Sequence, residues 1–260
     1  MKRIENVALM GSGNVATHLG MAFVAAGIRV IQVFSRNFEK AETLSRKLSC
    51  EATNELAGLT GDADLYVIAI SDDAIPDVVT AFPHQGKLLV HTSGSTGMQV
   101  LQGKTDHYGV FYPLQTFSRD VALDFGNVPL CLEASDAETG KLLEDLALRL
   151  SVNVSWISSE QRRKVHLAAV FACNFVNHMY AQAAEILEDN DLPFELLRPL
   201  ISETARKVME AHPHSVQTGP ARRNNSGIID KHLQMLEKNP GLQEMYQYIS
   251  ESIISHYGNK

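Results

Sequence analysis

Val7-Ala8-Leu9-Met10-Gly11-Ser12-Gly13-Asn14-Val15-Ala16 decides how the rest of this chain is read. Four apolar residues run straight into a G-x-G-x-x-A loop. An amphipathic stretch then runs over 15–26 and is ended by Gly27. A short strand, a glycine turn and a helix start, in that order, form the context a dinucleotide-binding fingerprint demands. Gly11 allows the tight turn, Gly13 lets the backbone approach a pyrophosphate, and Ala16 is small enough for helix and sheet to pack closely. Ser12 lies between the glycines. Asn14 and Val15 open the helix, whose free N–H groups and partial positive charge suit an anion. The competing reading is a plain corner that binds nothing.

Outward from the loop, apolar runs alternate with amphipathic stretches. Residues 30–34, 65–70, 88–92, 109–112, 128–133 and 152–157 read as strands, and 40–48 and 137–150 as helices. This alternation implies right-handed βαβ units and a mainly parallel sheet. After residue 158 the strands stop. Residues 160–188 read as one long helix, and 195–212, 227–236 and 242–257 as three more. The expected division is an α/β dinucleotide-binding domain over 1–157 and an all-helical domain over 158–260.

Composition excludes several classes. The 260 residues carry 23 Lys and Arg against 30 Asp and Glu, a net charge of −7. A nucleic-acid partner needs a basic face, so none is expected. Cys50, Cys131 and Cys173 stand far apart and are odd in number, which argues against a disulfide framework and a metal site. That usage predicts a reduced, cytoplasmic chain. Residues 1–6 carry an acid and no long apolar run, unlike a signal peptide. The longest apolar stretch, 166–184, is broken by Asn174, Asn177 and His178 and is too polar for a membrane span.

The end of the second strand selects the dinucleotide. An acidic residue there would bind the ribose of NAD. This chain has Phe34-Ser35-Arg36-Asn37 instead. A hydroxyl and a guanidinium accept a 2′-phosphate through charge-assisted hydrogen bonds, so the expected cofactor is NADP. Ile70-Ser71 ends the next strand and is expected at the nicotinamide-ribose side, with Asp72-Asp73 read as a helix cap.

Four places offer chemistry. His91-Thr92-Ser93-Gly94-Ser95-Thr96-Gly97 is small, polar and glycine-rich at a strand end. It suits contact with a nicotinamide or substrate, or is a flexible turn with a solvent-facing His91. Pro113 holds Tyr112 extended, so Gln115 and Thr116 project into a cleft or simply follow a hydrophobic strand. On the long helix, His166, Val170, Cys173, Asn177 and Ala181 share one face at 100° per residue, with Asn174 at its edge. Histidine is the commonest general acid, and His166 is the best single candidate; the alternative is a core or interface histidine. Arg162-Arg163-Lys164 before it reads as a solvated helix start or as an attractor of an acidic substrate. Arg222-Arg223 after Gly219-Pro220 suits a substrate carboxylate, or a surface turn.

With these residues in view, the sequence resembles a family of NADP oxidoreductases in which a Rossmann-like domain precedes a helical domain of unknown function. Wider relatives include pyrroline-5-carboxylate reductase, ketopantoate reductase and deazaflavin-dependent NADP oxidoreductases. The likeness covers nearly the whole chain. It rests on the 11–16 loop, His91-Thr92-Ser93-Gly94-Ser95, Tyr112-Pro113-Leu114-Gln115-Thr116-Phe117, residues 166–174, and Gly219-Pro220 with Arg223. It implies a 6-phosphogluconate dehydrogenase-like helical domain, and it favours His91, Gln115 and His166 as cleft residues. Many relatives carry Arg-Gly-Asp where this chain has Arg223-Asn224-Asn225, so no acid role is carried to Asn225. The catalytic lysine of the reductive relatives does not fit the spacing from Lys164 to Asn174.

The expectation is then an α/β Rossmann-like domain followed by a helical domain, acting as an NADP-dependent oxidoreductase. Hydride passes from NADPH to a small keto or imino compound with an acidic group. His166, His91 and Gln115 are the catalytic candidates. Gly11, Ser12, Gly13, Asn14, Val15, Ser35, Arg36, Ile70, Ser71 and Ser93 would bind the cofactor, and Asn174 and Arg223 the substrate. A homodimer through the helical domain is expected. The rivals are a non-catalytic NADP-responsive binding protein and an enzyme with a deazaflavin partner.

Overall fold

A computed structural model describes residues 3–118, 121 and 123–257. The chain divides into two compact units, Met1–Cys173 and Asn174–Lys260.

The first unit is built on an eight-stranded sheet in the order β3-β2-β1-β4-β5-β6-β7-β8. The strands are β1 (Asn6–Met10), β2 (Arg29–Phe34), β3 (Glu51–Thr53), β4 (Leu65–Ile68), β5 (Leu88–His91), β6 (Tyr108–Pro113), β7 (Leu130–Ala134) and β8 (Val154–Trp156). Strands β1 to β6 run parallel. Strand β7 reverses, pairing antiparallel with β6 so that Pro113 faces Leu130 and Val110 faces Glu133. Strand β8 follows β7 in parallel. The helices are α1 (Asn14–Ala25), α2 (Phe38–Leu48), α3 (Ile75–Ala81), α4 (Ala137–Leu150) and α5 (Ser159–Ala169).

Both faces of the sheet are covered, which is why its strands read as continuous apolar runs. Leu19 and Phe23 of α1, Leu44 of α2 and Leu143 and Leu146 of α4 pack with Leu9, Val33 and Phe111. Ile75, Val79 and Phe82, on and just after α3, pack with Met10, Tyr66 and Ile68 in a separate cluster. Strand order turns at β1, with β2 on one side and β4 on the other. A ligand crevice opens at such a switch point, above the carboxyl ends of the strands.

Two local features depart from the expected elements. Strand β3 is a three-residue edge strand, too short to show a period of two. The stretch read as one helix over 160–188 is α5, a π-type segment Val170–Phe175, and α6 (Val176–Glu188). A π segment bonds one residue further along the chain than an α-helix does. The count of 100° per residue from His166 to Asn177 and Ala181 therefore fails across it.

The second unit continues with α7 (Arg198–Glu210), α8 (Ser226–Met235) and α9 (Pro240–Tyr257). Asn225 caps α8 by accepting from the Ile228 N–H at 3.3 Å, a structural role. Among its described residues, only Ala221 and Ser250 are buried.

Candidate active site

A cleft of about 870 Å³ lies along the carboxyl edge of the sheet in the first unit. Every residue expected to bind the cofactor lines it: Gly11, Ser12, Gly13, Asn14, Val15, Ser35, Arg36, Ile70, Ser71 and Ser93. Gln115 and His166 line it too.

The two loop glycines are required for different reasons. Gly11 has φ +134°, and a Cβ there would meet the Ala69 carbonyl oxygen at 2.0 Å. Its turn is needed by the fold itself. At Gly13 a Cβ would meet no protein atom within 4 Å, so packing alone does not demand glycine there. Gly13 is the N-cap of α1, and no side-chain bond caps that helix. Open space beside uncapped helix N–H groups is what a pyrophosphate needs, and these residues fit a dinucleotide. The Ser12 hydroxyl donates to Ser35 Oγ at 2.9 Å, tying the loop to the end of β2. Arg36 and Lys40 line that part of the chain's cleft wall and are exposed, while Asn37 caps α2 through the Lys40 N–H.

The loop after β5 is held from behind. Arg162 on α5 is fully buried. Its Nε donates to the Ser93 carbonyl at 3.1 Å, and Nη2 to the Thr96 carbonyl at 2.6 Å and Ser159 Oγ at 3.2 Å. Nη1 pairs with Glu133 Oε2 at 2.6 Å. The Ser159 hydroxyl also donates to Glu133 and accepts from the Met98 N–H. Burial alone would raise the Glu133 carboxyl. The hydrogen bonds from Ser159 and Arg162 outweigh it and hold the group below its ordinary range. The solvated or substrate-attracting role expected of Arg162 is thus corrected: it is an internal tie.

His91 does not reach the cleft, contrary to expectation. It is the last residue of β5, in a sheet covered on both sides, and its ring is wholly buried. Nδ1 accepts from the Ser93 N–H at 3.2 Å, while Nε2 has no hydrogen-bond partner among the described residues. Burial first, then the nearby Arg162 charge, pushes this imidazole down to about 4 against the weaker pull of the Gly97 carbonyl. It is a neutral support of the loop.

Tyr112, unclaimed in the sequence reading, meets His166 at the cleft. Its hydroxyl lies 3.1 Å from His166 Nδ1, with the rings edge to face. Desolvation raises the phenol to about 12, so it stays protonated. Gly94 fits against both rings; a Cβ there would meet His166 Nδ1 at 2.7 Å and Tyr112 Cζ at 2.9 Å. A signal for this pair existed: His166 lies one helical turn after Arg162, and Pro113 pins Tyr112.

The remaining contacts shape the rim. Asp72 caps no helix. Its carboxylate accepts from the Ser95 hydroxyl, joining the loops after β4 and β5. Gln115 Oε1 accepts from the Thr116 N–H at 2.8 Å. The same segment reaches α1, where Asn14 Nδ2 donates to the Phe117 carbonyl at 2.8 Å and the His18 ring lies against Phe117. Asn174, in the π-type segment, and Arg223, in a short turn after Pro220, belong to the second unit. No helix among the described residues is long and apolar enough to cross a membrane.

The family model described as NADP oxidoreductase, coenzyme F420-dependent, matches residues 6–94, and a domain of unknown function matches residues 128–253. No curated protein matches the chain. A solved structure from Bacteroides fragilis, described as a "putative NADP oxidoreductase", is 45% identical with a TM-score of 0.92, covering 96% of this chain and 98% of that one. A protein from Thermotoga maritima is 20% identical, with a TM-score of 0.78 and the same coverage. An imine reductase from Myxococcus stipitatus, solved with NADP+, is 17% identical with a TM-score of 0.68, covering 97% and 96%. The last two share the fold. With the glycine loop, the Ser35–Arg36 strand end and the 45% identical relative in agreement, the chain belongs to the family of NADP-dependent oxidoreductases.

Proposed function

We propose that the protein is a cytoplasmic reductase that uses NADPH to reduce a small keto or imino compound carrying an acidic group. The observation that carries this reading is the Tyr112–His166 pair, set at the cleft beside Gly94. When bound, NADPH supplies the hydride. The 11–13 loop and the start of α1 would hold its pyrophosphate, and Ser35 and Arg36 its 2′-phosphate, while Ile70, Ser71 and Ser93 would line the nicotinamide side.

His166 is the proton donor in this scheme. As an imidazolium it donates Nδ1–H to the Tyr112 oxygen and keeps a second proton on Nε2. That second proton goes to the nitrogen or oxygen of the bond being reduced, leaving a neutral ring oriented by Tyr112. Gln115 would help orient the substrate. Asn174 and Arg223 are the substrate residues of this proposal, Arg223 being suited to a charge-assisted bond with an acidic group. The thin interior of the second unit, with Leu196, Leu200, Met209 and Met235 exposed, supports a homodimer formed through that part. Free Cys50, Cys131 and Cys173 suit a reducing compartment.

The first test is calorimetric titration with NADPH and with NADH, followed by turnover with keto and imino acids. NADPH should bind at least tenfold more tightly, about 1.4 kcal/mol. His166→Ala should cut turnover about a hundredfold or more. Unchanged turnover in that variant would remove His166 from the mechanism.

A further inference from the structure

We propose that Arg162 is a positioning residue for the reaction, holding the 93–97 loop so that Gly94 keeps His166 against Tyr112. The reaction named here rests on the reductase reading above; the contacts stand independently within the first unit.

A buried ion pair adds little stability over apolar residues of the same volume. The Arg162–Glu133 pair is therefore weakly explained by stability alone. What a guanidinium supplies is a rigid fork of donors. Here the fork takes two backbone carbonyls of one loop, Ser93 at 3.1 Å and Thr96 at 2.6 Å. Between them stands Gly94, with no room for a Cβ against His166. His166 lies four residues beyond Arg162, one turn along the same helix. One residue of α5 thus draws the loop in, and the loop then bears on another residue of α5. Glu133 and Ser159 aim the fork, and His91 receives the Ser93 N–H from beneath. A lysine carries one compact charge and cannot hold both carbonyls in this geometry.

The experiment uses the full chain with Arg162→Lys and Ser159→Ala. Three quantities are read: NADPH affinity by calorimetry, kcat and KM, and the imidazole 15N shifts of His166 without cofactor. For Arg162→Lys the expected result is at least a tenfold fall in kcat and an NADPH dissociation constant within twofold of wild type. The His166 shifts should move towards those of Tyr112→Phe. Ser159→Ala loosens the same network without unpairing a buried charge, so it should lower kcat several-fold with the same signature. It decides the matter if Arg162→Lys does not fold. Unchanged kcat and His166 shifts in a folded variant would overturn the proposal, as would equal losses of kcat and NADPH affinity. A wild-type protein inactive on every keto and imino compound sinks the reductase reading instead. In that event the His166 shifts still decide whether Arg162 positions the ring.

Discussion

Gly94 and His166 are in direct contact, and a β carbon at position 94 would come within 2.7 Å of the imidazole Nδ1. That nitrogen is the one that meets the Tyr112 hydroxyl. Gly94→Ala should therefore separate the pair and lower turnover about tenfold or more. Tyr112→Phe should do the same by removing the oxygen. Because both act on one contact, the double variant should be little worse than either single one. Fully multiplicative losses in steady-state kinetics would show that the two residues act independently.

The glycines of the first loop should respond in opposite ways to alanine. Gly11→Ala puts a side chain at φ +134° and onto the Ala69 carbonyl, so it should cost roughly 2–4 kcal/mol of stability. Gly13→Ala meets open space and should change stability by less than about 1 kcal/mol, yet weaken NADPH binding tenfold or more. Denaturant unfolding and calorimetry separate these effects. A Gly13→Ala variant that binds NADPH normally would show that this space is not the pyrophosphate seat.

Cofactor choice should depend on the end of β2. Arg36→Ala is expected to lose roughly 1.5–3 kcal/mol of NADPH affinity, the range for a charged hydrogen bond, and to leave NADH affinity unchanged. Ser35→Asp should invert the preference by placing a carboxylate beside the 2′-phosphate. Competitive titration with the two dinucleotides measures both.

Stability should depend on pH through His91. Its imidazole is held down at about 4 in the fold by burial and by Arg162, against 6.5 ordinarily. Between those values the unfolded chain binds the proton and the folded chain does not. Stability is then full above about pH 6.5 and falls as the pH drops towards 4, by about 3 kcal/mol in all. Glu133, itself held low, adds its loss only further down. His91→Asn should flatten the upper part of this slope in thermal melts from pH 7 to 4.5. An unaltered slope would place its origin elsewhere.

The fold and the part of the cleft lined by the 11–16 loop were legible because they follow from local rules. The 11–16 loop, its flanking strand and helix, and the Ser35–Arg36 end of β2 are each contained in a few consecutive residues. The part of the cleft around Tyr112 and His166 was less legible. His91 sits in a run whose last residue falls inside a doubly covered sheet, and the apolar pattern alone does not say which side of the last strand residue meets solvent. Arg162 looks like one of three cations at a helix start. Its partners, Ser93, Thr96 and Glu133, lie 29 to 69 residues away. Only the pairing of β7 with β6 brings Glu133 beneath it. The π-type segment gave no sign in residue type and shifted the helix face read from His166.

That reversed strand governs the direction from which His166 arrives. Had β7 and β8 kept the sense of the other strands, the chain would leave β8 at the carboxyl edge. The next helix would then descend from the cleft, carrying its eighth residue about 12 Å away. With β7 and β8 reversed, α5 begins low, where Ser159 bonds Glu133 on the level of Val110, and climbs. Arg162 passes the loop on the way, and His166 emerges beside Tyr112, two residues nearer the rim than Val110. A single change of strand polarity turns a covering helix into an approach route.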